Sequence, residues 1–286
     1  METIQNRYEF VMLFDCENGN PNGDPDAGNM PRVDAETSNG IVTDVCIKRK
    51  IRNYIEIAHE GEAGCNILIK TDKALNTKFT EAYEMCGLKT KEKGKNASSV
   101  AAARDYICAN YYDVRTFGAV MSTGDDPCGI VRGPVQINFA KSIDPVLPQE
   151  ITITRQAITS ATDKENKETE MGKKNFIPYG LYRAEGYVSA MLAQKTGFTE
   201  KDLDMLWEAI INMFEHDHSA ARGKMCMRKL IIFRHESKLG NAPSAKPFEK
   251  ITVRRTPDIS VPRSYGDYII NIDGNMPDGV QLIERF

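Results

Sequence analysis

Residues 8–14 read YEFVMLF, residues 18–34 read NGNPNGDPDAGNMPRVD, and residues 48–52 read KRKIR. The first stretch is a short apolar run with nothing that breaks a sheet, and it predicts a buried first strand from Tyr8 to Phe14. The second is crowded with Gly, Asn, Pro and Asp, which indicates a loop that can turn its amides outward. Cations on a helix that follows such a loop are suited to binding a polyanionic backbone, so this order favours nucleic acid as the ligand.

The helix after this loop carries both an apolar stripe and the basic cluster. Thr43 to Ala58 predicts the helix because apolar residues recur at i, i+4, i+7 and i+8 spacing, namely Ile47, Ile51, Tyr54, Ile55 and Ala58. With 3.6 residues per turn, Lys48, Arg49 and Arg52 lie within about 100° of one another, whereas Lys50 points elsewhere. Such a cluster is also typical of the solvated face of an ordinary amphipathic helix, and the preceding loop could be only a long turn.

The composition is that of a globular protein whose positive charge is local. The chain has 286 residues, with 41% hydrophobic residues, 27% charged residues and a formal net charge of −3. This length predicts one substantial core with a large insertion or a second small lobe, and the net charge confines any polyanion-binding surface to a patch. Seven scattered cysteines without a C-x-x-C pair favour reduced thiols over disulfides or a zinc site. No signal peptide or membrane-spanning run is visible, so we expect a cytoplasmic protein that has no membrane partner.

The hydrophobic pattern predicts a large insertion after the first helix. The segment from Gly61 to Thr123 has helical patches of its own, including Ala97 to Tyr111. The sheet is predicted to resume at Val131, after which three apolar residues alternate with polar ones, namely Val135, Ile137 and Phe139. A further strand is predicted around Ile151 and Ile153.

The second half of the chain predicts a projection, a helix and a last strand. Thr159 to Asn175 has almost no apolar content, cannot pack a core and is predicted to be a mobile projection. Thr199 is predicted to cap an amphipathic helix, with Asp202 at the capping-box position, and Leu230 to Phe233 predicts a strand. Without its insertions the order is βαββαβ, which is the α+β, ferredoxin-like (RRM-like) arrangement of RNA-recognition domains. This fold also hosts many unrelated activities, so the order alone does not assign a function.

Several long motifs resemble one family. The loop NGNPNGDPDAGNMPRVD, the following GIVTDVCIKRKIRNYI, the segment DVRTFGAV from Asp113 to Val120 and VRGPVQINFA from Val131 are similar to the backbone subunit of type I-C Cascade. That family consists of CRISPR-associated RNA-binding proteins of the repeat-associated superfamily. The resemblance covers most of the chain in order.

The resemblance implies an RNA scaffold rather than an enzyme. Members polymerise head-to-tail in several copies along one guide RNA (crRNA), in a helical filament that includes other Cascade subunits, and expose guide bases to target DNA. Each copy has a palm, a helical finger region and a protruding thumb loop that kinks the guide. The palm would comprise residues 1–60 and 124–286, the fingers 61–123, and the thumb about 152–178.

The resemblance also implies which residues contact RNA. The palm-helix cations Lys48, Arg49 and Arg52 would bind guide phosphates, and the loop with Asn20, Asn22 and Arg32 would approach the same backbone. Met171, Phe176 and Ile177 are the apolar residues that could insert between bases, although Phe176 could equally belong to the core. Arg115 could touch RNA or pair with an internal carboxylate. Arg222 and Lys224 form another basic patch that could also be ordinary surface.

The alternatives are a metal site, a nuclease and a purely structural polymer. Asp24, Asp26 and Asp34 do not fit the calcium-loop pattern, because the required glutamate position holds Ala35. His216 and His218 could act as a general base in an endoribonuclease of the same superfamily, which is the second candidate function. No third ligand lies at metal-binding spacing, no phosphate-binding G-x-x-x-x-G-K-[ST] motif occurs, and no cofactor is expected. A self-assembling protein without nucleic acid would share the head-to-tail interface.

Overall fold

A large antiparallel sheet forms the centre of the computed structural model, which describes residues 2–91, 96–157 and 170–286. The strands are β1 (Tyr8–Gly19), β2 (Gly23–Asp24), β3 (Met30–Pro31), β4 (Asn39–Val42), β5 (Gly118–Met121), β6 (Gly129–Arg132), β7 (Val135–Ile137), β8 (Ala140–Pro145), β9 (Gln149–Arg155), β10 (Glu170–Val188), β11 (Lys224–His235), β12 (Ile251–Arg255), β13 (Tyr268–Ile272) and β14 (Val280–Glu284). The α-helices are α1 (Asp44–Ala58), α2 (Leu75–Met85), α3 (Ala97–Asn110), α4 (Tyr112–Phe117), α5 (Ala190–Thr196), α6 (Glu200–Asn212) and α7 (Ala245–Glu249). Two short 3-10 turns span Pro25–Ala27 and Tyr265–Asp267.

The sheet is built around β1. Its strands lie in the order β14-β11-β1-β10-β8-β4, and β7 and β9 also pair with β10. The first nine residues of β1 are all buried, because strands flank it on both sides and other elements cover both faces. The predicted first strand is therefore confirmed, and it continues beyond Phe14 to Gly19.

Helices α1 and α6 cover one face of the sheet. Alternate β1 side chains, including Phe10, enter this helix-side core, where the Phe10 ring lies 5.2 Å from the Trp207 ring in an edge-on contact. Thr43 caps α1 by accepting the backbone N–H of Cys46. The predicted capping box of α6 is confirmed, since Thr199 and Asp202 exchange both hydrogen bonds.

The C-terminal segment covers the opposite face, which sequence reasoning did not foresee. Helix α7 and the β12–β13 hairpin pack on the other set of alternate sheet side chains, including Val11 and Leu13. Phe248 of α7 contacts Phe233 of β11 with ring centroids 6.1 Å apart. No helix among residues 2–91, 96–157 and 170–286 is long and apolar enough to cross a bilayer.

The insertion after α1 has a core of its own and ends later than predicted. Helices α2 and α3 pack with the β5–β6 hairpin around buried residues such as Phe79 and Tyr83. Val131 belongs to this insertion core, because β6 pairs with β5 and not with the large sheet. The prediction that the large sheet resumes at Val131 is thus wrong; it resumes at β7. Phe139 is exposed, because β7 ends at Ile137.

The last six residues of the predicted projection, 170–175, belong to an antiparallel ribbon. β9 pairs with the first seven residues of β10, from Glu170↔Arg155 to Phe176↔Gln149. Residues 170–175 therefore have regular backbone pairing within this ribbon. The remainder of that prediction, from Thr159 to residue 169, lies outside the described residues.

Candidate nucleic-acid interface

The loop between β1 and α1 is held against the start of the helix by its asparagines. The Asn22 side-chain oxygen accepts the backbone N–H and the hydroxyl of Thr43, both at 2.9 Å. The Asn20 side chain is buried and donates to the Asn29 carbonyl at 2.7 Å. The side chains of both asparagines fix the shape of the loop, and the predicted approach of this loop to RNA stays a prediction.

Arg32 is the basic residue of the loop, and its side chain is half-buried. One guanidinium nitrogen lies 3.3 Å from the Asp24 carboxylate, and its Nε is buried with no hydrogen-bond partner among the described residues. Asp24 accepts the backbone N–H of Asp26 in the 3-10 turn, so these aspartates shape the loop. In the described part of the chain, no three His, Cys, Asp or Glu side chains are grouped to hold a metal ion.

The basic cluster of α1 is turned largely toward the protein. The Lys48 ammonium pairs with Asp44 at 2.9 Å, one turn earlier, and its side chain is 14% exposed. Arg52 is buried, donates to Asp113 at 2.9 Å and lies over the Phe117 ring. Its burial and its pairing with Asp113 do not favour a phosphate contact, and the predicted RNA contact of Arg52 stays a prediction.

Arg49 is the exception within this trio. Its Nη1 donates to the Ile69 carbonyl at 2.9 Å, and no carboxylate pairs with it among the residues that the structure describes. Its side chain is half-buried. Arg49 is therefore the cation of α1 whose charge is least compensated within the chain.

The DVRTFG motif joins the insertion to both helices of the sheet. Asp113 accepts hydrogen bonds from Arg52 of α1 and from the backbone N–H groups of Leu68 and Ile69. Arg115 binds the Asp202 carboxylate of α6 at 3.1 and 2.7 Å. We refer to these two buried ion pairs as the insertion clamp.

Arg115 has no donor left for RNA. Its five N–H donors are matched by five hydrogen bonds, two to Asp202 and three to the carbonyls of Cys108, Ala109 and Gly64. The predicted RNA contact at Arg115 is corrected for this reason, and its alternative, pairing with an internal carboxylate, is observed. A cavity of about 530 Å³ lies beside the pair, between the insertion and helices α5 and α6.

The basic patch after α6 lies next to the loop. Arg222 is 37% exposed and pairs with Asp217, and Lys224 is 63% exposed and lies 3.4 Å from Glu17. The backbone N–H of Asn20 donates to the Ala221 carbonyl at 2.8 Å. The loop, the start of α1 and residues 217–224 therefore form one continuous surface, which we call the loop junction.

Several charged side chains of the loop junction act on the pKa of the Cys46 thiol. Burial raises the pKa of the Cys46 thiol, while the positive charges of Lys50, Arg222 and Arg32 act in the opposite direction. These three cations come from separate parts of the chain. Asp217, which pairs with two of them, was missed by the sequence analysis; its signal is an acidic residue five positions before Arg222.

The three apolar thumb candidates fall in different environments. Met171 is 78% exposed on the ribbon, whereas Phe176 is half-buried at its base. Ile177 is fully buried in the helix-side core, so its prediction as a base wedge is corrected. The Asn175 amide donates to the Gly28 carbonyl at 3.0 Å, which joins the ribbon to the loop.

The second face of the sheet and the two exposed histidines give less support for a functional site. In RNA-recognition domains bases stack on the open face of the sheet, but here the C-terminal segment occupies that face. His216 and His218 are exposed, and the His216 ring lies 6.2 Å from the Tyr54 ring. Neither histidine has a partner among the described residues that would orient it as a general base.

Comparisons with known proteins give a consistent family. The family model "CRISPR-associated protein Cas7" matches residues 6–273. A protein of Haloferax volcanii described as CRISPR-associated protein Cas7 is 27% identical over 262 residues, which are 84% of this chain and 73% of that protein. A chain of a solved structure titled "CRISPR RNA-guided surveillance complex, pre-nicking" superposes with a TM-score of 0.52 at 14% identity, covering 79% of this chain and 78% of that one. This last likeness indicates a shared fold.

Proposed function

The chain belongs to the CRISPR-associated protein Cas7 family, and from this premise we propose that it is a non-catalytic backbone subunit of a type I-C Cascade complex. Copies polymerise head-to-tail along a guide RNA in the cytoplasm, together with other Cascade subunits. They bind the phosphate backbone and leave guide bases free to pair with target DNA.

The loop junction is the observation that carries this proposal. It combines three exposed or half-buried cations, Arg32, Arg222 and Lys224, with a loop fixed by internal hydrogen bonds. Arg49 of α1 adds a half-buried cation that contacts the Ile69 carbonyl. Contacts to phosphates position a protein without reading sequence, as a protein that accepts any guide requires. Because the net charge of the chain is −3, the positive charge at the loop junction is a local patch and not a property of the whole surface.

The fold also supports an assignment of the palm, the finger region and the thumb. The strand order β11-β1-β10-β8, with α1 and α6 on one face, supports a ferredoxin-like palm. The separate insertion core supports a finger region, and Val131 within it moves the end of this region from Thr123 to about Arg132. The β9–β10 ribbon supports the thumb, with Met171 as the most exposed of its apolar side chains Ile151, Ile153 and Met171, which makes it a candidate to insert between bases.

Assembly on RNA of defined lengths tests the proposal. We expect filaments whose length follows the added guide, and binding that weakens steeply with salt because phosphate contacts release counterions. Electron microscopy and a salt titration of binding give both readouts. Polymers of the same length without RNA would instead support the purely structural protein. Cleavage of a CRISPR repeat RNA that disappears in His216→Ala or His218→Ala would support the endoribonuclease.

Replacement of Arg49 should weaken RNA binding independently of sequence. In Arg49→Gln we expect a similar loss of affinity for two unrelated guides and a decrease of about 0.7 in the slope of log affinity against log salt, the value for one phosphate contact on a single strand. Fluorescence anisotropy at several salt concentrations measures both.

The control for this experiment is Arg104→Gln, which removes an exposed cation on α3. It should leave the slope unchanged. Arg52 is left in place, because its removal would leave Asp113 unpaired in the interior. A loss restricted to one guide sequence, or no loss at all, would show that Arg49 does not bind the backbone.

A further inference from the structure

Asp217 lies between two cations at the loop junction. One carboxylate oxygen pairs with the Lys50 ammonium, and the other accepts a hydrogen bond from Nη1 of Arg222. The same Nη1 also donates to the backbone carbonyl of Asp217 at 3.3 Å. Lys50 is 1% exposed and Asp217 is largely buried, whereas Arg222 reaches solvent.

The buried charges of Lys50 and Asp217 balance each other. A buried ammonium without a countercharge is strongly unfavourable, and Asp217 supplies the countercharge to Lys50. The ammonium also lies 5.6 Å from the centroid of the Phe214 ring. The remaining positive charge of the group is that of Arg222, on the solvent side.

The main chain at Arg222 is fixed against the end of β1. Its carbonyl accepts from the Cys16 thiol at 3.7 Å, and its N–H donates to the Ser219 carbonyl at 3.2 Å. A Cβ added at Gly19 would lie only 1.8 Å from this carbonyl oxygen, so the two segments are in direct contact. Arg222 is thus held both at its backbone and at one nitrogen of its guanidinium.

The other edge of the guanidinium is unoccupied by protein. Within residues 2–91, 96–157 and 170–286, Nε and Nη2 of Arg222 have no hydrogen-bond acceptor. This planar edge matches two oxygens of a phosphodiester, which a lysine cannot reproduce. The loop with Asn20 lies directly beside it.

We propose that Asp217 is a positioning residue that orients Arg222 so that its Nε–Nη2 edge binds a phosphodiester of the guide RNA. This inference rests on the proposed function and adds a residue and a geometry to it. The proposal predicts the opposite change in RNA affinity from simple charge competition. If Asp217 only competed with phosphate for Arg222, removal of its charge would strengthen RNA binding; if it orients Arg222, removal weakens binding.

A double-mutant cycle on the full chain tests this role. We expect Arg222→Ala to weaken binding of a single-stranded RNA on the order of tenfold and to lower the salt slope by about 0.7. Asp217→Asn should weaken binding about threefold, the range for one hydrogen bond. In the Arg222→Ala background, Asp217→Asn should have no further effect, because Asp217 acts through Arg222.

Two results would overturn the inference. One is tighter binding by Asp217→Asn; the other is an equal loss in both backgrounds, which would indicate a general effect on the fold. Since Asp217→Asn leaves Lys50 without its countercharge and could unfold the chain, Arg222→Lys provides a second test. It keeps the charge but loses the planar edge, so it should keep the salt slope of the parent protein and bind about threefold more weakly, the range for one hydrogen bond; affinity equal to the parent protein would contradict the proposal.

The outcome also separates this inference from the proposed function. If the parent protein forms RNA-dependent filaments and Arg222→Ala binds RNA equally well, only the role of Arg222 and Asp217 is wrong. If the parent protein does not bind RNA at all, the proposed function itself fails and this inference fails with it. Arg104→Gln again serves as the cation control.

Discussion

Replacing Arg115 with methionine should lower the free energy of unfolding by about 3–5 kcal/mol, the usual effect of breaking a buried ion pair by removing one partner. The change leaves the Asp202 carboxylate with only its Thr199 capping donors and no countercharge, and it removes the Arg115 donors from three backbone carbonyls. It also removes the ion pair between the insertion and α6, where the Tyr112 hydroxyl still donates to the Asp202 carbonyl. Urea denaturation followed by circular dichroism measures the change in unfolding free energy.

Two controls separate this role from an RNA contact. Arg104→Met removes an arginine that is 40% exposed and should change the free energy of unfolding by no more than about 0.5 kcal/mol. Arg115→Met protein that remains folded at low temperature should bind RNA with the salt slope of the parent protein. A loss of stability below about 1 kcal/mol would show that the clamp at Asp202 does not hold the insertion.

Replacing Gly19 with alanine should both destabilise the chain and impair RNA binding. The added Cβ would meet the Arg222 carbonyl oxygen at 1.8 Å and its carbon at 2.4 Å, so the segment around Arg222 must move. Overpacking of this kind costs about 1–3 kcal/mol. Because Arg222 is displaced, we also expect a loss of RNA affinity on the order of tenfold, as for removal of its charge-assisted contact.

The matched control is Gly274→Ala, since no atom lies within 4 Å of an added Cβ at that position. Stability and RNA affinity should both remain at the parent level. If Gly19→Ala lost stability but kept full RNA affinity, the position of the Arg222 main chain would not matter for binding. Equal behaviour of the two alanine variants would contradict the close approach of β1 to residues 219–223.

Local signals allowed the elements near the interface to be predicted from sequence. The apolar run of β1, the stripe of α1 and the Thr199–Asp202 capping box each depend on residues a few positions apart. The grouping of Lys48, Arg49 and Arg52 on one side of α1 follows from helix geometry in the same way. These features required no knowledge of tertiary contacts.

The partners of the cations could not be predicted, because they are distant in sequence. Arg52 pairs with Asp113, which is 61 residues away, and Lys50 pairs with Asp217, which is 167 residues away. A helical wheel shows that cations share a flank but not whether water, a carboxylate or a ligand faces that flank. The covering of the second sheet face was missed for the same reason, since α7 and β12 meet β11 only in the folded chain.

Strand β10 links the β9–β10 ribbon directly to the centre of the sheet. This strand of 19 residues runs without interruption from the ribbon into the centre of the sheet, a span of about 60 Å at 3.3 Å per residue. A displacement at the ribbon is therefore transmitted along one continuous backbone to the neighbour of β1. Side chains alternate between the two faces of a strand. The ribbon can therefore become longer or shorter with every side chain still on its own face only if each strand changes by two residues, about 7 Å.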